Sequence, residues 1–448
     1  MLVLLLAIGC DARSNLNEFH GQGGAASSSS SAGEGGGGSA PRLCGGGLDV
    51  TPVATVQGDA GKHGKTSMIF GSANGQVLSA FYGSAAQDSA SALEVTTFEP
   101  WGAWPPVGGQ TFEIDPEGGE SFAVGPANLG FAALAFQSKG VGEGADGLYF
   151  VNAISSTTVG SFQTMQLDPA HVSPTAIAIA PGYDAPPYAP NWGYLANAAL
   201  WSSTDPMTHV SSLKLVVSDF GSTVVFAGYV SQDEPSPACA KGPIAADMVR
   251  AGANWLIASG AGAMFDDCDD PSHVEAPTAL VIDRAAWGEV DSCSWTLTRE
   301  NAIGGDSNVS FVRMAPNVES AGAWVLVGRA GTPSRMELLA IDMQGKLEGS
   351  TEVVSADGSP ITTAALTPLG GGVLVATVSE GAPSDISLHL VSDKRIEDAT
   401  RTVSTGGPVS ELSLITNRDS DAAIATWADG ESTGALPMVR IGCAGGRK

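Results

Sequence analysis

"GGVLVATVSEG" (371–381) and "DAAIATWADG" (421–430) decide the fold. Laid one under the other, Val373-Leu374-Val375-Ala376-Thr377 matches Ala422-Ala423-Ile424-Ala425-Thr426 at an offset of 49 residues. A second matching piece precedes each. "VVSADGSPITTAALTP" (353–368) lies over "TVSTGGPVSELSLIT" (402–416), with Val354 on Val403 at the same offset. Each piece is a short run of aliphatic and β-branched residues broken by Gly, Pro, Asp and Ser, the pattern of strands joined by turns.

Working outward, the same pair of pieces recurs upstream. "NVSFVRMAP" (308–316) precedes "AWVLVGR" (323–329), and "SPTAIAIAP" (173–181) and "SFAVGPANLGFAALAF" (121–136) are further copies. Behind each pair comes a third strand that often ends in an acid and a turn, as in "LLAIDMQG" (338–345), "TALVIDRAAWG" (278–288) and "LKLVVSDFG" (213–221). A fourth follows, such as "TEVVS" (351–355). The units start near Ser67, Ser121, Pro174, Ala246, Asn308, Pro360 and Pro408. Four-stranded units repeated in this way resemble β-propeller blades, of which a ring holds typically about 4 to 8. The expected fold is therefore all-β, a β-propeller of about seven four-stranded blades, with six or eight also compatible with the uneven unit lengths.

The composition of the unit fits that architecture. Its second strand is apolar or small throughout ("VLVAT", "AAIAT", "FAALA"), as a strand buried on both faces between neighbouring blades must be. The fourth strands are polar and belong at the rim. The last unit stops early, with only "ALPMVRIGC" (435–443) after "IATWADG". The missing outer strand is available in "LDVTPVATV" (48–56), which predicts that an N-terminal strand completes the last blade. Cys44 and Cys443 flank these two strands, and a disulfide between them would lock the ring. The repeat is similar to WD40, YVTN and pyrroloquinoline-quinone-type propellers in period and strand pattern alone. It lacks the Trp-Asp ends and Gly-His starts of the first and the regular Trp motif of the last, so an architecture follows and a family does not.

Ahead of the repeat the chain opens "MLVLLLAIGCDARSN" (1–15). The apolar run Leu2–Ile8 is far shorter than the roughly 20 residues of a membrane-spanning helix, but it reaches the ~7-residue lower bound of a signal-peptide core. Leu6-Ala7-Ile8-Gly9-Cys10 resembles a bacterial lipobox, with small Gly9 before the Cys. The resemblance implies cleavage before Cys10 and lipidation of its sulfur. Two features depart from the pattern: no Lys or Arg precedes the run, and Ala7 stands where Leu is commonest. "GQGGAASSSSSAGEGGGGSAPR" (21–42) follows, too poor in apolar bulk to fold, and reads as a flexible tether. The expected division is a signal peptide over 1–9, a lipidated Cys and tether over 10–43, and the propeller over 44–448.

Charge narrows the function classes. Against 47 acids stand 21 Lys and Arg in 448 residues, a net charge of −26. Such a surface repels phosphate backbones, which argues against a nucleic-acid partner. The remaining cysteines, Cys239, Cys268 and Cys293, are too far apart for a zinc cluster and read as disulfide candidates of an exported chain.

The search for chemistry returns little. The six histidines form no metal-binding pair, no G-x-S-x-G elbow occurs, and no arginine cluster of sialidase type stands out. "MFDDCDDPSH" (264–273) places Asp266, Asp267, Asp269 and Asp270 around Cys268, a weak Ca²⁺ candidate without the Gly-containing loop such sites use. Two Pro/aromatic loops are longer than a blade turn needs. They carry Trp101 and Trp104, and Tyr183, Tyr188, Trp192 and Tyr194, a possible platform for a protein or glycan. The expectation is an envelope lipoprotein, anchored to a bacterial membrane and facing the periplasm or the exterior, whose propeller binds a protein or glycan without catalysis and without a cofactor. A propeller enzyme (hydrolase, lyase or quinoprotein) and a purely structural envelope component are the alternatives.

Overall fold

A computed structural model describes thirty-one strands between Leu48 and Cys443, the turns within 245–252, 301–317, 320–392, 401–416 and 421–429, and Cys44, Gly47, Ala279 and Ala444. The first blade holds β2 to β5 (Lys62–Phe70, Gln76–Ser84, Ser91–Phe98, Gly108–Ile114) and the second β6 to β9 (Phe122–Pro126, Ala132–Ser138, Gly147–Ile154, Thr164–Asp168). The third holds β10 to β13 (Ala176–Ala180, Asn197–Thr204, Ser211–Ser218, Val224–Gln232). The fourth is β14, β15, β18 and β19 (Ala246–Ala251, Asn254–Gly260, Leu280–Trp287, Trp295–Ile303), with the hairpin β16–β17 (Met264–Phe265, Val274–Glu275) inserted before its third strand. The fifth is β20 to β23 (Val309–Pro316, Ala323–Arg329, Arg335–Ile341, Leu347–Val354). In the sixth, β24, β25 and β26 (Ile361–Leu369, Gly372–Ser379, Ala382–Ser392) are followed by an outer position split between β27 (Arg395–Ile396) and β28 (Arg401–Ser404). The seventh is β29, β30 and β31 (Val409–Thr416, Ala422–Asp429, Ala435–Cys443), completed by β1 (Leu48–Gln57).

Each innermost strand lies against that of the next blade, and β29 lies against β2, so the ring closes. The chain is a seven-bladed β-propeller. The seven expected starts fall within five residues of the observed first strands.

Burial explains the second strands. Every residue of β21 is buried. Ala323, Val325 and Val327 point into a core shared with the fourth blade, while Trp324 and Leu326 point into one shared with the sixth. A strand with two such faces has no room for a polar side, which is why "AWVLVGR" does not alternate. At the rim, β23 and β28 are mostly exposed. Each blade thus contributes half of two cores, and no blade is complete alone.

The closing strand runs antiparallel to β31 from Leu48 opposite Cys443 to Gln57 opposite Ala435. Cys44 and Cys443 are joined, with their Cα atoms 4.9 Å apart and 399 residues apart in sequence. The Arg401 guanidinium donates across the seam to the Leu48 carbonyl at 2.7 Å, tying β1 to the sixth blade.

Antiparallel order also gives the ring two distinct ends. Connections from first to second strand and from third to fourth leave one end of a blade; those from second to third, and the links between blades, leave the other. Cys44 and Cys443 lie at the former, beside the two-residue turn Gly370-Gly371 of the sixth blade. That turn needs positive φ at both positions, 60° and 87°, which glycine alone adopts without strain. Among the described residues no helix is long and apolar enough to cross a membrane.

Candidate functional site

The residues that line the axis come from the innermost strands, and four of these have described side chains. In three successive blades the strand begins with the same irregularity. The register skips one residue between Val309 and Phe311, between Ile361 and Thr363, and between Val409 and Glu411. The skipped residues, Ser310, Thr362 and Ser410, all bear a hydroxyl and are all exposed. A bulge leaves a carbonyl of the partner strand without its ladder amide. The Thr362 hydroxyl donates to Val378 O at 3.2 Å, and the Ser410 hydroxyl to Ala428 O at 3.3 Å, filling that vacancy. These hydroxyls therefore hold the strand start in shape at the end of the ring opposite Cys44.

Two charged groups stand on the same wall. Arg313 is exposed on β20, donates to Val312 O at 2.9 Å and lies over the Phe311 ring, 4.8 Å from its centroid. Asp247 on β14 turns the other way, toward the fifth blade. Its carboxyl accepts the Met248 amide at 2.8 Å and the Met314 amide of β20 at 2.7 Å, bridging two blades. The residue keeps part of its surface open, but its carboxyl is enclosed. Burial pushes its pKa up, against the lowering effects of the Arg313 charge and the two amides.

His389 is the buried imidazole of the described blades. It sits on β26 opposite Val375, on the face that meets the fifth blade, and its Nε2 finds no hydrogen-bond partner among the described residues. Burial holds its pKa below the usual imidazole value. The alternation in "ISLHLV" (386–391) carries the signal, since Leu388 and Leu390 face the seventh blade and so turn His389 to the fifth.

A groove of about 490 Å³ lies at the outer seam of the sixth and seventh blades. Val50, Val53, Val403, Trp427 and Met438 line it, with Arg401 among them. The closing strand β1 forms one wall, so the groove exists only in the completed ring.

Of the residues singled out in the sequence, Cys44 and Cys443 are brought together. The rest fall outside the described residues. Cys10 precedes the fold. Trp101 and Trp104 fall between β4 and β5, and Tyr183, Tyr188, Trp192 and Tyr194 between β10 and β11. Asp266, Asp267, Asp269 and Asp270, with Cys268, fall between β16 and β17; Cys239 and Cys293 are likewise outside. Among the described residues no three His, Cys, Asp or Glu side chains come together to hold a metal ion. The sequence reading missed Asp247 and the bulge hydroxyls. Their roles depend on which neighbouring strand each side chain faces.

No protein-family model matches the chain, and no curated protein matches it. Among solved structures, the β-propeller domain of the Trilobed protease from Pyrococcus furiosus is similar, at 7% identity over 82% of this chain and 91% of that one, with a TM-score of 0.40. A chain of the Mitotic Checkpoint Complex is 13% identical over 89% of this chain and 96% of its own, at 0.44. The GH93 alpha-L-arabinofuranosidase of Fusarium graminearum is 12% identical over 78% and 89%, at 0.39. The propeller assignment rests on the chain's own sheet order and ring closure.

Proposed function

We propose that this chain is a lipid-anchored protein of the bacterial envelope whose seven-bladed ring serves as a binding module for a protein or a glycan. The observation that carries the reading is the position of Cys44. The N-terminal 43 residues, with the lipobox-like stretch and the Gly/Ser tract, lead into Cys44, which is bonded to Cys443 at one end of the ring. A single point of attachment at one end is what a tethered module requires. Among the described innermost strands, the Thr362 and Ser410 hydroxyls and the Asp247 carboxyl are engaged with backbone and hold the scaffold.

Two measurements test this. Cells expressing the full chain are fed an alkyne-bearing fatty acid. The chain should take up label, Cys10→Ala should not, and a mature N-terminus found as unmodified Met1 overturns the anchor. A bulky polymer is then attached at Ala356→Cys on the free end or at Gln344→Cys on the attached end, both exposed turn positions. Retention of envelope proteins or glycans should be blocked by the first label and spared by the second; the reverse pattern overturns the assignment of the binding end.

A further inference from the structure

β1 is the outermost strand of the last blade. It has a neighbour on one side alone, β31. Over Leu48–Val53, Leu48 is buried, Val50 and Val53 are half-buried, and Asp49, Thr51 and Pro52 are exposed. Its pairing is interrupted between Pro52 and Ala54, where proline also lacks an N–H. Beyond the ladder to β31, which runs on to Gln57, its further ties gather at its first residues. The Cys44–Cys443 bond, the Arg401 contact to Leu48 O at 2.7 Å, and the 2.8 Å bonds from Gly47 N–H to Cys44 O and from Ala444 N–H to Gly47 O all lie within one turn of chain. The far end of β1 continues into β2 and cannot leave. Strand pairs open from their ends, and the covalent bond sits at the one end from which β1 is free to open.

We propose that Cys44–Cys443 is a redox latch on the ring, and that its reduction releases β1 from β31 while the other blades keep their structure. The reductant is a dithiol. Cys443 keeps part of its surface exposed whereas Cys44 is 4% exposed, so attack falls on the Cys443 sulfur. One thiolate of the reductant bonds to that sulfur and the Cys44 thiolate leaves, taking up a proton. The second thiol of the reductant then closes on the first, frees Cys443 as a thiol and leaves the reductant as its own disulfide. β1 opens from Leu48 onward, and the seam groove loses the wall that Val50 and Val53 provide. The outer edge of Ala435–Cys443 is left with unpaired N–H and C=O groups. The last blade is then closed while the bond is formed and open at its outer edge once it is reduced.

Amide hydrogen exchange on the full chain tests this, with dithiothreitol as the probe and mass spectrometry to confirm that Cys44 and Cys443 have become thiols. The expected result is at least a tenfold loss of protection in β1 and β31, with β20 to β23 unchanged. The double variant Cys44→Ser/Cys443→Ser should reproduce it without reductant, which separates this bond from any other disulfide. If that variant fails to fold, the reduced wild-type chain decides alone. Unchanged protection in β1 and β31 after confirmed reduction, or an equal loss in β20 to β23, overturns the proposal.

Discussion

Asp247 illustrates the cost of a carboxylate between two blades. Its two amide bonds fix β14 against β20, yet burial outweighs the Arg313 charge and raises its pKa. A carboxyl whose folded pKa lies above its unfolded value holds its proton longer in the native state. Its contribution is therefore full below the ordinary carboxylate value and is lost as pH rises through the folded value. Urea unfolding of Asp247→Asn should show a flatter dependence than wild type as pH rises above the ordinary carboxylate value near ~4. Asp247→Ala, which strands the buried Met314 amide, should cost roughly 1–3 kcal/mol. His389 works in the opposite direction. Burial lowers its pKa, so the unfolded chain takes a proton first as pH falls below the ordinary imidazole value near ~6.5, and stability drops from there toward the lowered folded value. His389→Leu should remove that acid-side loss; an unchanged difference between thermal midpoints measured above and below the imidazole range would refute it. Neither residue was legible as a site in the sequence. An Asp in "ADMVRA" reads as a polar position on an edge strand until the facing amide of Met314, 67 residues away, is known.

At the scale of elements, the innermost strands share a bulge with a hydroxyl set into it. Thr362→Val keeps the β-branched shape and removes the donor to Val378 O, and Ser410→Ala removes the donor to Ala428 O. Each should lower unfolding free energy by about 1 kcal/mol, measured by denaturant titration. The correspondence of "VSFVR", "ITTAA" and "VSELS" was visible as a repeat, because equivalent strands carry equivalent patterns. The bulge was not visible. It consists of two residues facing one, a count that exists only between paired strands. Similarly, the second strands were recognisable from composition, but which half of "AWVLVGR" faces which blade follows from packing. The fourth blade departs from the simple unit by inserting β16–β17, which is why its third strand comes late in the sequence.

At the scale of the molecule, ring closure is the controlling event. Cys443→Ser opens a loop of 399 residues, worth about 6 kcal/mol in the chain-entropy account. With unfolding entropy in proportion to chain length, the expected fall in melting temperature is about 6 °C, measured by calorimetry with and without the substitution. The sequence by itself determined the blade, a count of about seven and the closing strand. Alternation, doubly apolar second strands and turn residues are local properties, and an outer strand missing from the last unit with a spare one at the start can be counted. The Cys pair followed from that count, since the two residues flank the strands that must meet. Only the tertiary structure decided which polar groups are committed and which surfaces remain. The bridge from Asp247 to the fifth blade, the clasp of Arg401 on Leu48, the burial of His389 and the groove beside β1 depend on faces that meet across blades. A radial sheet has two faces of similar composition, so the pattern along one strand does not specify its neighbour; the ring does.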